Sequence, residues 1–232
     1  SLWRGATRIQ GWARYLMSGL KIAIDGPSGS GKSTLGKALA QRLCIPYVDT
    51  GAMYRAISWA VDDAGLNDDV EQIVAYVQNL QLKISPDSAR FQVWVNEIDV
   101  TDWLRQPDVG RMAAKVATIK EVRAWMVPLQ RAAAIDGGVL EGRDIGTVVL
   151  PDADFKFYIT SDESTRMLRR AEQLGHKEVV AEVVSDVHER DLVDSTRKHS
   201  PLRPATDAVH IDTSSQTVAE SLGLMLEEIN RQ

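Results

Sequence analysis

A glycine-rich segment near the start of the chain constrains its fold more than any other feature. The segment, KIAIDGPSGSGKST, runs from Lys21 to Thr34. It contains the spacing G-x-x-x-x-G-K-[ST], filled by Gly26, Gly31, Lys32 and Ser33. An apolar, β-prone run precedes the glycines, and a helix-like run from Leu35 to Leu43 follows them. This order predicts a strand, a tight loop and a helix, which is the setting of a phosphate-binding P-loop.

The chemistry of a P-loop explains these residue types at this spacing. Glycines let the backbone curl until successive N–H groups point at phosphate oxygens, and the following helix adds its positive N-terminal end. We expect Lys32 to reach the outer phosphates and the Ser33 hydroxyl to ligate Mg²⁺. A chance glycine-rich turn is the alternative, and the flanking elements argue against it. The candidate phosphate-binding residues are Gly26, Pro27, Ser28, Gly29, Ser30, Gly31, Lys32, Ser33 and Thr34.

Composition and charge exclude several classes of protein. The chain has 232 residues, 44% of them hydrophobic, and a net charge of −5. Because that charge is negative, we expect no overall attraction to a nucleic-acid polymer or to an anionic membrane. No apolar run approaches the ~18 residues that a transmembrane helix needs. The single cysteine, Cys44, excludes an internal disulfide and fits a reducing, cytoplasmic location, and we expect it to be buried.

Residues 1–16, SLWRGATRIQGWARYL, differ from the rest because they carry three arginines and no acidic residue. A transit peptide is one interpretation of such a segment. We favour a non-native extension, since Met17-Ser18-Gly19 stands directly before the first strand. We therefore expect residues 1–16 to be poorly ordered and residues 17–232 to form the folded domain.

Beyond the glycine-rich segment, short apolar runs alternate with helical periodicity. Five candidate strands begin near residues 21, 47, 139, 155 and 208. Helical patterns cover residues 35–43, 52–64, 70–80, 109–134, 162–174, 178–192 and 217–229. This alternation predicts an α/β fold, with a five-stranded parallel sheet and helices on both faces. Ligands of such sheets gather at the carboxyl ends of the strands. Asp49-Thr50-Gly51 and Gly142-Arg143-Asp144, like the P-loop, each follow a predicted strand.

One region departs from that alternation. LKIS at residues 82–85 and RFQVWVNEIDV at residues 90–100 show the period of two that is typical of strands, with Pro86-Asp87-Ser88 between them. We expect a small antiparallel hairpin there, inserted between helices.

A P-loop alone does not separate a switch, a motor and a small-molecule kinase. The chain has no N-K-x-D motif, which argues against a GTPase, and it is short for a motor. Arginines are spread over several separate sites, and a site for two phosphorylated substrates needs them because the phosphates repel each other. These arginines are Arg55, Arg123, Arg143, Arg166, Arg169, Arg170, Arg190 and Arg197.

Taken together, these features resemble the bacterial-type cytidylate kinases, a family of P-loop kinases in the nucleoside monophosphate kinase superfamily. The matching stretches cover most of residues 20–214. They are IDGPSGSGKST, DTGAMYRA, Val122-Arg123, EGRDIGTVVLPDADFKFYIT, Arg169-Arg170, ERDLVDSTRKHSPL and DAVHIDTS. DTGAMYR and GRDIGTVVLPDAD are far more specific than the P-loop. The resemblance implies an acceptor-binding, β-rich insertion at about residues 66–110 and a helical lid at about residues 165–198.

The resemblance also implies an activity: transfer of the ATP γ-phosphate to CMP or dCMP with Mg²⁺, giving CDP or dCDP and ADP. A P-loop kinase for UMP or another small acceptor is the alternative. The implied partners are ATP and CMP or dCMP, with no nucleic-acid polymer and no membrane, for a protein that acts as a monomer. The implied catalytic residues are Lys32, Arg143, Arg169, Arg170 and Arg190. The implied acceptor-binding residues are Thr50, Arg55, Arg123, Arg143, Asp144, Arg190, Asp194 and Arg197.

Specific roles follow from the same resemblance. Arg123 and Asp144 resemble the groups that contact cytosine. A carboxylate can accept a hydrogen bond from the exocyclic amino group of cytosine, and uracil lacks that amino group. A helix cap or a group near the metal is the alternative for Asp144. Arg190 and Asp194, four residues apart, could instead form a plain helix salt bridge. Arg169 and Arg170 resemble lid arginines that close over the transferring group.

Two positions depart from the family pattern. Glu141 stands where the family usually has Asp, so its carboxylate reaches further and the local metal or water shell is expected to differ. Ala114 aligns with a serine that helps to bind the base, which shifts the discrimination of CMP from UMP onto Arg123 and Asp144. We expect Asp49 to be structural and to orient the turn before Thr50.

Overall fold

A parallel sheet forms the centre of the protein. The computed structural model describes residues 19–66, 69–105 and 107–231, so the prediction for residues 1–16 lies outside the described chain. The strands of this sheet are β1 Lys21–Asp25, β2 Tyr47–Asp49, β6 Gly138–Gly142, β7 Phe155–Thr160 and β8 Val209–Asp212. Their order is β2–β6–β1–β7–β8, and every neighbouring pair is parallel. The predicted five-stranded parallel sheet is confirmed.

Helices cover both faces of this sheet. They are α1 Lys32–Leu43, α2 Thr50–Asp63, α3 Val70–Val77, α4 Pro107–Val116, α5 Lys120–Ala133, α6 Glu163–Gln173, α7 Ala181–Thr196 and α8 Val218–Arg231. Because side chains alternate along a strand, Ile22 and Ile24 of β1 join a buried cluster with α1 and α8. Ala23 joins the second cluster, with α2 and α5. None of the described helices is both long and apolar enough to cross a membrane.

The strand order brings the predicted site residues to one edge. β1 lies in the middle, between β6 and β7, so the loop after β1 is flanked by the loops after both neighbours. Since all five strands are parallel, their carboxyl ends meet at the same edge of the sheet. The P-loop, Asp49-Thr50 and Gly142-Arg143-Asp144 therefore converge, as their positions after strands predict.

The inserted region is a three-stranded antiparallel sheet, not a two-stranded hairpin. It contains β3 Leu82–Ser85, β4 Gln92–Val95 and β5 Ile98–Asp99 in sequence order. Asn96 and Glu97 both have positive φ, 46° and 69°, which makes a two-residue turn between β4 and β5. Such turns are usually marked by glycine, and its absence here hid the third strand. Val93 and Val95 tie this small sheet to the buried cluster under α2.

Two further expectations are wrong in detail. The helical pattern at 109–134 is two helices, α4 and α5. The chain turns between them, where Thr118 donates to the Lys115 carbonyl through both N–H and Oγ1 and Ile119 is extended, with ψ 116°. Cys44 is exposed rather than buried. It lies just past the end of α1 in the left-handed region, with φ 56°, where the chain turns towards β2.

Candidate active site

The P-loop connects β1 to α1 and has the backbone geometry that its glycines permit. Gly31 has φ 92° and stands directly before the first turn of α1. A Cβ atom at Gly26 would overlap the main-chain oxygen of Ile159, so no larger residue fits between β1 and β7. Ser30 is fully buried, and its hydroxyl donates to the Pro27 carbonyl at 3.0 Å. Ser30 and Pro27 thus shape the loop, while its backbone N–H groups and the α1 N-terminus remain the phosphate-binding elements.

Lys32 lies in the first turn of α1, and its ammonium group is almost fully buried. Its Nζ donates to the Pro27 carbonyl at 2.6 Å. Burial, helped by the positive charge of Arg143, lowers the pKa of Lys32 to about 7. A buried ammonium of this kind is poised to bind an anion, because a phosphate would restore the favourable charge interaction that water no longer supplies.

Glu141, at the end of β6, connects the P-loop to the strand beside it. Its Oε1 accepts hydrogen bonds from Ser33 Oγ at 2.6 Å and from Tyr47 Oη at 2.8 Å. Its main-chain oxygen accepts from Thr50 Oγ1 at 2.6 Å. Its Oε2 is buried and has no hydrogen-bond partner among the described residues. Burial, and then the nearby Asp49, raise the pKa of Glu141.

These oxygens fit Mg²⁺. Magnesium prefers oxygen ligands and is usually held by one or two protein groups together with phosphates and water. Ser33 and Glu141 both line the cleft, and Ser33 Oγ and the buried, unpartnered Glu141 Oε2 are the oxygen atoms that would coordinate the ion. The Glu141 side chain is held in place by the Tyr47 hydroxyl.

The start of α2 supplies the next group of site residues. Asp49 caps this helix, because its Oδ1 accepts the N–H of Ala52 at 2.7 Å. Its Oδ2 also accepts from Arg55 Nη2 at 3.0 Å. The predicted structural role of Asp49 is therefore confirmed. Thr50 is buried beside Glu141, while Arg55 is partly exposed and lines the cleft.

Asp25, the last residue of β1, holds the loop after β6. Its two carboxylate oxygens accept the backbone N–H groups of Ile145 and Gly146 at 2.8 and 2.7 Å. These residues begin a short π-helix, Ile145–Val149, and π-helical turns are frequent at functional sites. Burial raises the pKa of Asp25 to about 6, although the two N–H groups oppose the shift. By fixing this turn, Asp25 orients Arg143 and Asp144, which directly precede it.

A buried ion pair lies at the far end of the cleft. Arg123 of α5 and Asp144 are both about 5% exposed, and Arg123 Nη2 bonds to Asp144 Oδ2. Arg197 Nη2 lies 3.8 Å from the other carboxylate oxygen. The Arg123 guanidinium also stands over the ring of Tyr54, 5.7 Å from its centre. Ala114, from α4, also lines the cleft. Asp144 caps no helix through its side chain, which removes one alternative role for it.

The remaining arginines of the cleft are paired with aspartates of α7. Arg143 Nε donates to Asp194 Oδ2 at 2.5 Å. Arg190 Nε donates to Asp186 Oδ1 at 3.2 Å, so its helix partner is Asp186 and not Asp194. The alternative of a plain Arg190–Asp194 salt bridge is wrong. Burial, and then the nearby charge of Arg170, lower the pKa of Arg190 to about 10.

Arg169 and Arg170, adjacent on α6, point to different places. Arg170 lines the cleft. Arg169 instead bonds to Thr213, through Nη1 to Oγ1 at 2.9 Å and through Nη2 to the carbonyl at 2.8 Å. Thr213 Oγ1 in turn donates to the Ser30 carbonyl at 2.9 Å. Arg169 thus lies on the other side of the P-loop, in a second cavity with Gly31 and Thr34.

One cleft collects most of the predicted site residues. From the P-loop it is lined by Ser28, Gly29, Lys32 and Ser33, and from the acceptor set by Thr50, Arg55, Arg123, Arg143, Asp144, Arg190, Asp194 and Arg197. Gly26, Pro27 and Ser30 support the loop from behind. Sequence reasoning missed Asp25, Tyr47, Tyr54 and Asp186. Tyr54 and Asp186 contact the predicted residues Arg123 and Arg170, Tyr47 bonds to Glu141, and Asp25 holds the backbone that follows Asp144. The signal that could have found Asp25 was its position, since an acidic residue stands directly before the first glycine of the P-loop.

A P-loop at the centre of a parallel sheet, opening into an arginine-lined cleft, defines a P-loop phosphotransferase. A family model described as cytidylate kinase matches residues 22–231. This chain belongs to the cytidylate kinase family.

Individual relatives agree with that assignment. A cytidylate kinase of Carboxydothermus hydrogenoformans is 40% identical over 217 residues, which cover 91% of this chain and 98% of that protein. A cytidylate kinase of Nocardia farcinica is 44% identical over 218 residues, covering 91% and 92%. Among solved structures, a gluconokinase from Sinorhizobium meliloti 1021 aligns over 92% of this chain and 97% of its own, with 16% identity and a TM-score of 0.44. That distant likeness adds nothing to the family assignment.

Proposed function

We propose that this protein transfers the γ-phosphate of ATP to CMP or dCMP, giving CDP or dCDP and ADP. One observation carries the proposal: a single cleft joins the P-loop groups Lys32 and Ser33 to the buried Arg123–Asp144 pair. A phosphate-binding end and a base-binding end in one cleft are what a nucleotide acceptor beside a nucleotide donor requires. Membership of the cytidylate kinase family supports the same activity.

At the donor end, the P-loop amides and Lys32 would hold the phosphates of ATP. Ser33 and Glu141 would hold Mg²⁺ together with those phosphates. When bound, Mg²⁺ would neutralise part of the negative charge on those phosphates. Thr34 and Arg169, across the P-loop, would contact the rest of the donor nucleotide.

At the acceptor end, each group has a chemical task. Asp144 would accept a hydrogen bond from the cytosine amino group, and Arg123 would donate to ring N3 and O2. Arg55 and Arg143 would bind the acceptor phosphate beside Thr50, and Asp194 with Arg197 would contact the ribose. In the free protein Asp144 already holds Arg123, so the base-binding groups are oriented before CMP arrives.

Catalysis here is positioning and charge stabilisation. The acceptor phosphate is ionised at neutral pH, so no strong base is needed, and the arginines offset repulsion between the two substrates. We propose that the lid, residues 165–198, closes over the cleft and excludes the water that would compete as acceptor. The insertion, about residues 66–110, would shape the acceptor side.

A panel of acceptors tests the proposal. Purified protein is mixed with ATP and Mg²⁺, and ADP formation is followed by a coupled assay with CMP, dCMP, UMP or shikimate. We expect CMP and dCMP to be the preferred acceptors. Turnover confined to UMP or to shikimate would overturn the proposal.

We further propose that the protein works in the cytoplasm as a monomer, in pyrimidine nucleotide metabolism. Light scattering during size-exclusion chromatography tests the oligomeric state, and a mass near 25.6 kDa is expected.

A further inference from the structure

One carboxylate in the lid is shared by two arginines of the cleft. Asp186 of α7 accepts from Arg170 Nε of α6 at 2.7 Å and from Arg190 Nε of α7 at 3.2 Å. Each oxygen serves one arginine. The three side chains are largely buried, with 12, 10 and 17% of the Arg170, Asp186 and Arg190 side-chain surfaces exposed.

The geometry of these bonds leaves the useful ends of both arginines available. Asp186 engages only the Nε atoms, and both arginines line the cleft, whereas Asp186 is absent from the described lining. Arg190 makes no other hydrogen bond to a described residue, and its terminal Nη2 lies over Gly110, where a Cβ would overlap it. Arg170 adds only a long contact of 3.4 Å from Nη1 to Gln173. The terminal amino groups thus make no strong hydrogen bond to a described residue, and they belong to side chains that line the cleft, where they are available to phosphate oxygens.

The positive charges near Arg190 make the placement of the two arginines depend on the carboxylate of Asp186. Arg143 and Arg55 also contribute positive charge around Arg190. Each of those two has a carboxylate of its own, Asp194 and Asp49 respectively. Asp186, by contrast, serves both Arg170 and Arg190, so its loss would leave two partly buried like charges side by side.

We propose that Asp186 is a positioning residue of the phosphoryl-transfer site: it holds Arg170 and Arg190 by Nε and orients their terminal amino groups into the cleft. This inference rests on the proposed function. Asp186 touches neither substrate and acts through the two arginines. It couples α6 to α7, so both arginines enter or leave the site together with the lid.

The test compares Asp186→Asn with Glu189→Gln, which removes one negative charge from an exposed position of the same helix. Circular dichroism and thermal melting confirm the fold of each variant. Because a displacement of about 1 Å in a positioning group can cost about 100-fold in rate, we expect Asp186→Asn to lower kcat with ATP and CMP by about 10- to 100-fold. The KM for CMP should change less than about threefold, and Glu189→Gln should behave as the wild type.

A double-mutant cycle separates positioning from a general structural role. In an Arg170→Ala/Arg190→Ala background, Asp186→Asn should change kcat by less than about twofold, because its action passes through those arginines. An equal loss of kcat in both backgrounds would overturn the inference. Asp186→Glu and Asp186→Gln repeat the comparison at a longer side chain if the Asn variant does not fold; Glu should keep most of the activity and Gln should lose it.

The outcomes distinguish this inference from the proposed function. Wild-type turnover of CMP with an unaffected Asp186→Asn variant would overturn the role of Asp186 alone. A wild-type protein without CMP turnover would overturn the proposed function, and the inference with it.

Discussion

Ser33 Oγ and Glu141 Oε1 are joined by a hydrogen bond of 2.6 Å, which ties the P-loop to the strand that carries the acceptor-binding loop. The same Glu141 accepts from Thr50 through its main-chain oxygen. The candidate metal ligand and an acceptor-site threonine are therefore held by one residue. A movement of β6 relative to β1 would disturb both ends of the site together.

The first prediction concerns metal use. Glu141→Gln keeps the acceptor for Ser33 and Tyr47 but replaces the unpartnered oxygen and its charge by an amide. We expect the Mg²⁺ concentration for half-maximal activity to rise by about tenfold. A change of that size is the order of magnitude expected from the loss of one charge-assisted contact. The thermal stabilisation by ATP should also become less dependent on Mg²⁺. Glu121→Gln, an exposed glutamate of α5, serves as the control. An unchanged Mg²⁺ requirement would exclude Glu141 from the metal site.

Lys32 should be essential for turnover. Lys32→Met keeps the apolar stem and removes the charge that the buried site directs at the outer phosphates. Loss of one such charged donor typically costs about 100- to 1,000-fold in kcat, and we expect a loss of that order with an unchanged circular dichroism spectrum. The conservative Lys32→Arg variant is the control that separates charge from geometry. It keeps the positive charge, but its planar group does not fit the same narrow site. Activity within threefold of the wild type in the Met variant would contradict the role.

Base discrimination should depend on Asp144. The Asp144→Asn substitution keeps the shape of the side chain. The amino group of the new amide is a hydrogen-bond donor, however, and it would face the donor groups of Arg123 and of cytosine. We expect the KM for CMP to rise by about 10- to 100-fold, as expected when a buried polar partner is left unpaired. The preference for CMP over UMP should fall, while the affinity for ATP stays the same. Asp191→Asn, which removes the partner of Arg166 outside the cleft, is the matched control. Unchanged CMP affinity and CMP/UMP preference would show that the assigned role is wrong.

Local sequence signals predicted the central fold and the loops that bear the site. Glycine spacing, apolar runs and the period of side chains placed the five strands, and the parallel order then brought their ends together. The third strand of the insertion was missed because Asn96 and Glu97 form its turn without glycine. The break between α4 and α5 was missed because residues 117–119, which separate the two helices, include no glycine or proline to mark it.

Contacts between distant residues were not predictable in the same way. Asp25 and Gly146 are 121 positions apart, and Tyr47 and Glu141 are 94 apart, so no local spacing links them. The pairing of Arg190 with Asp186 rather than Asp194 was also hidden, because both aspartates lie four residues away on the same helix. Tertiary placement decides which one is used: Arg143, from the loop after β6, takes Asp194.

Ala114 offers a gain-of-affinity prediction. Ala114 lines the cleft, and the resemblance described above implies a serine that helps to bind the base at this position. A hydroxyl there would add one hydrogen bond to cytosine, worth about 1 kcal/mol. We expect Ala114→Ser to lower the KM for CMP by about fivefold without changing the KM for ATP. Ala132→Ser, at an exposed position of α5 outside the described lining of the cleft, is the control, and an equal effect of both substitutions would argue against a direct contact.

Asp25 should make the stability of the protein depend on pH in a defined window. Its pKa is about 6 in the folded protein and near 3.8 when unfolded, so the folded state binds the proton more tightly. That contribution to stability is fully present below about pH 4 and is lost as the pH rises through about 6. Two pKa units correspond to roughly 2–3 kcal/mol. Asp25→Asn does not titrate, so the difference in unfolding free energy between wild type and variant, from urea unfolding at about pH 4 and at about pH 7.5, isolates this carboxyl. We expect the wild type to gain roughly 2–3 kcal/mol relative to the variant at the lower pH. A difference that is the same at both pH values would mean that Asp25 has an ordinary pKa, and that its two hydrogen bonds to Ile145 and Gly146 fully offset its burial.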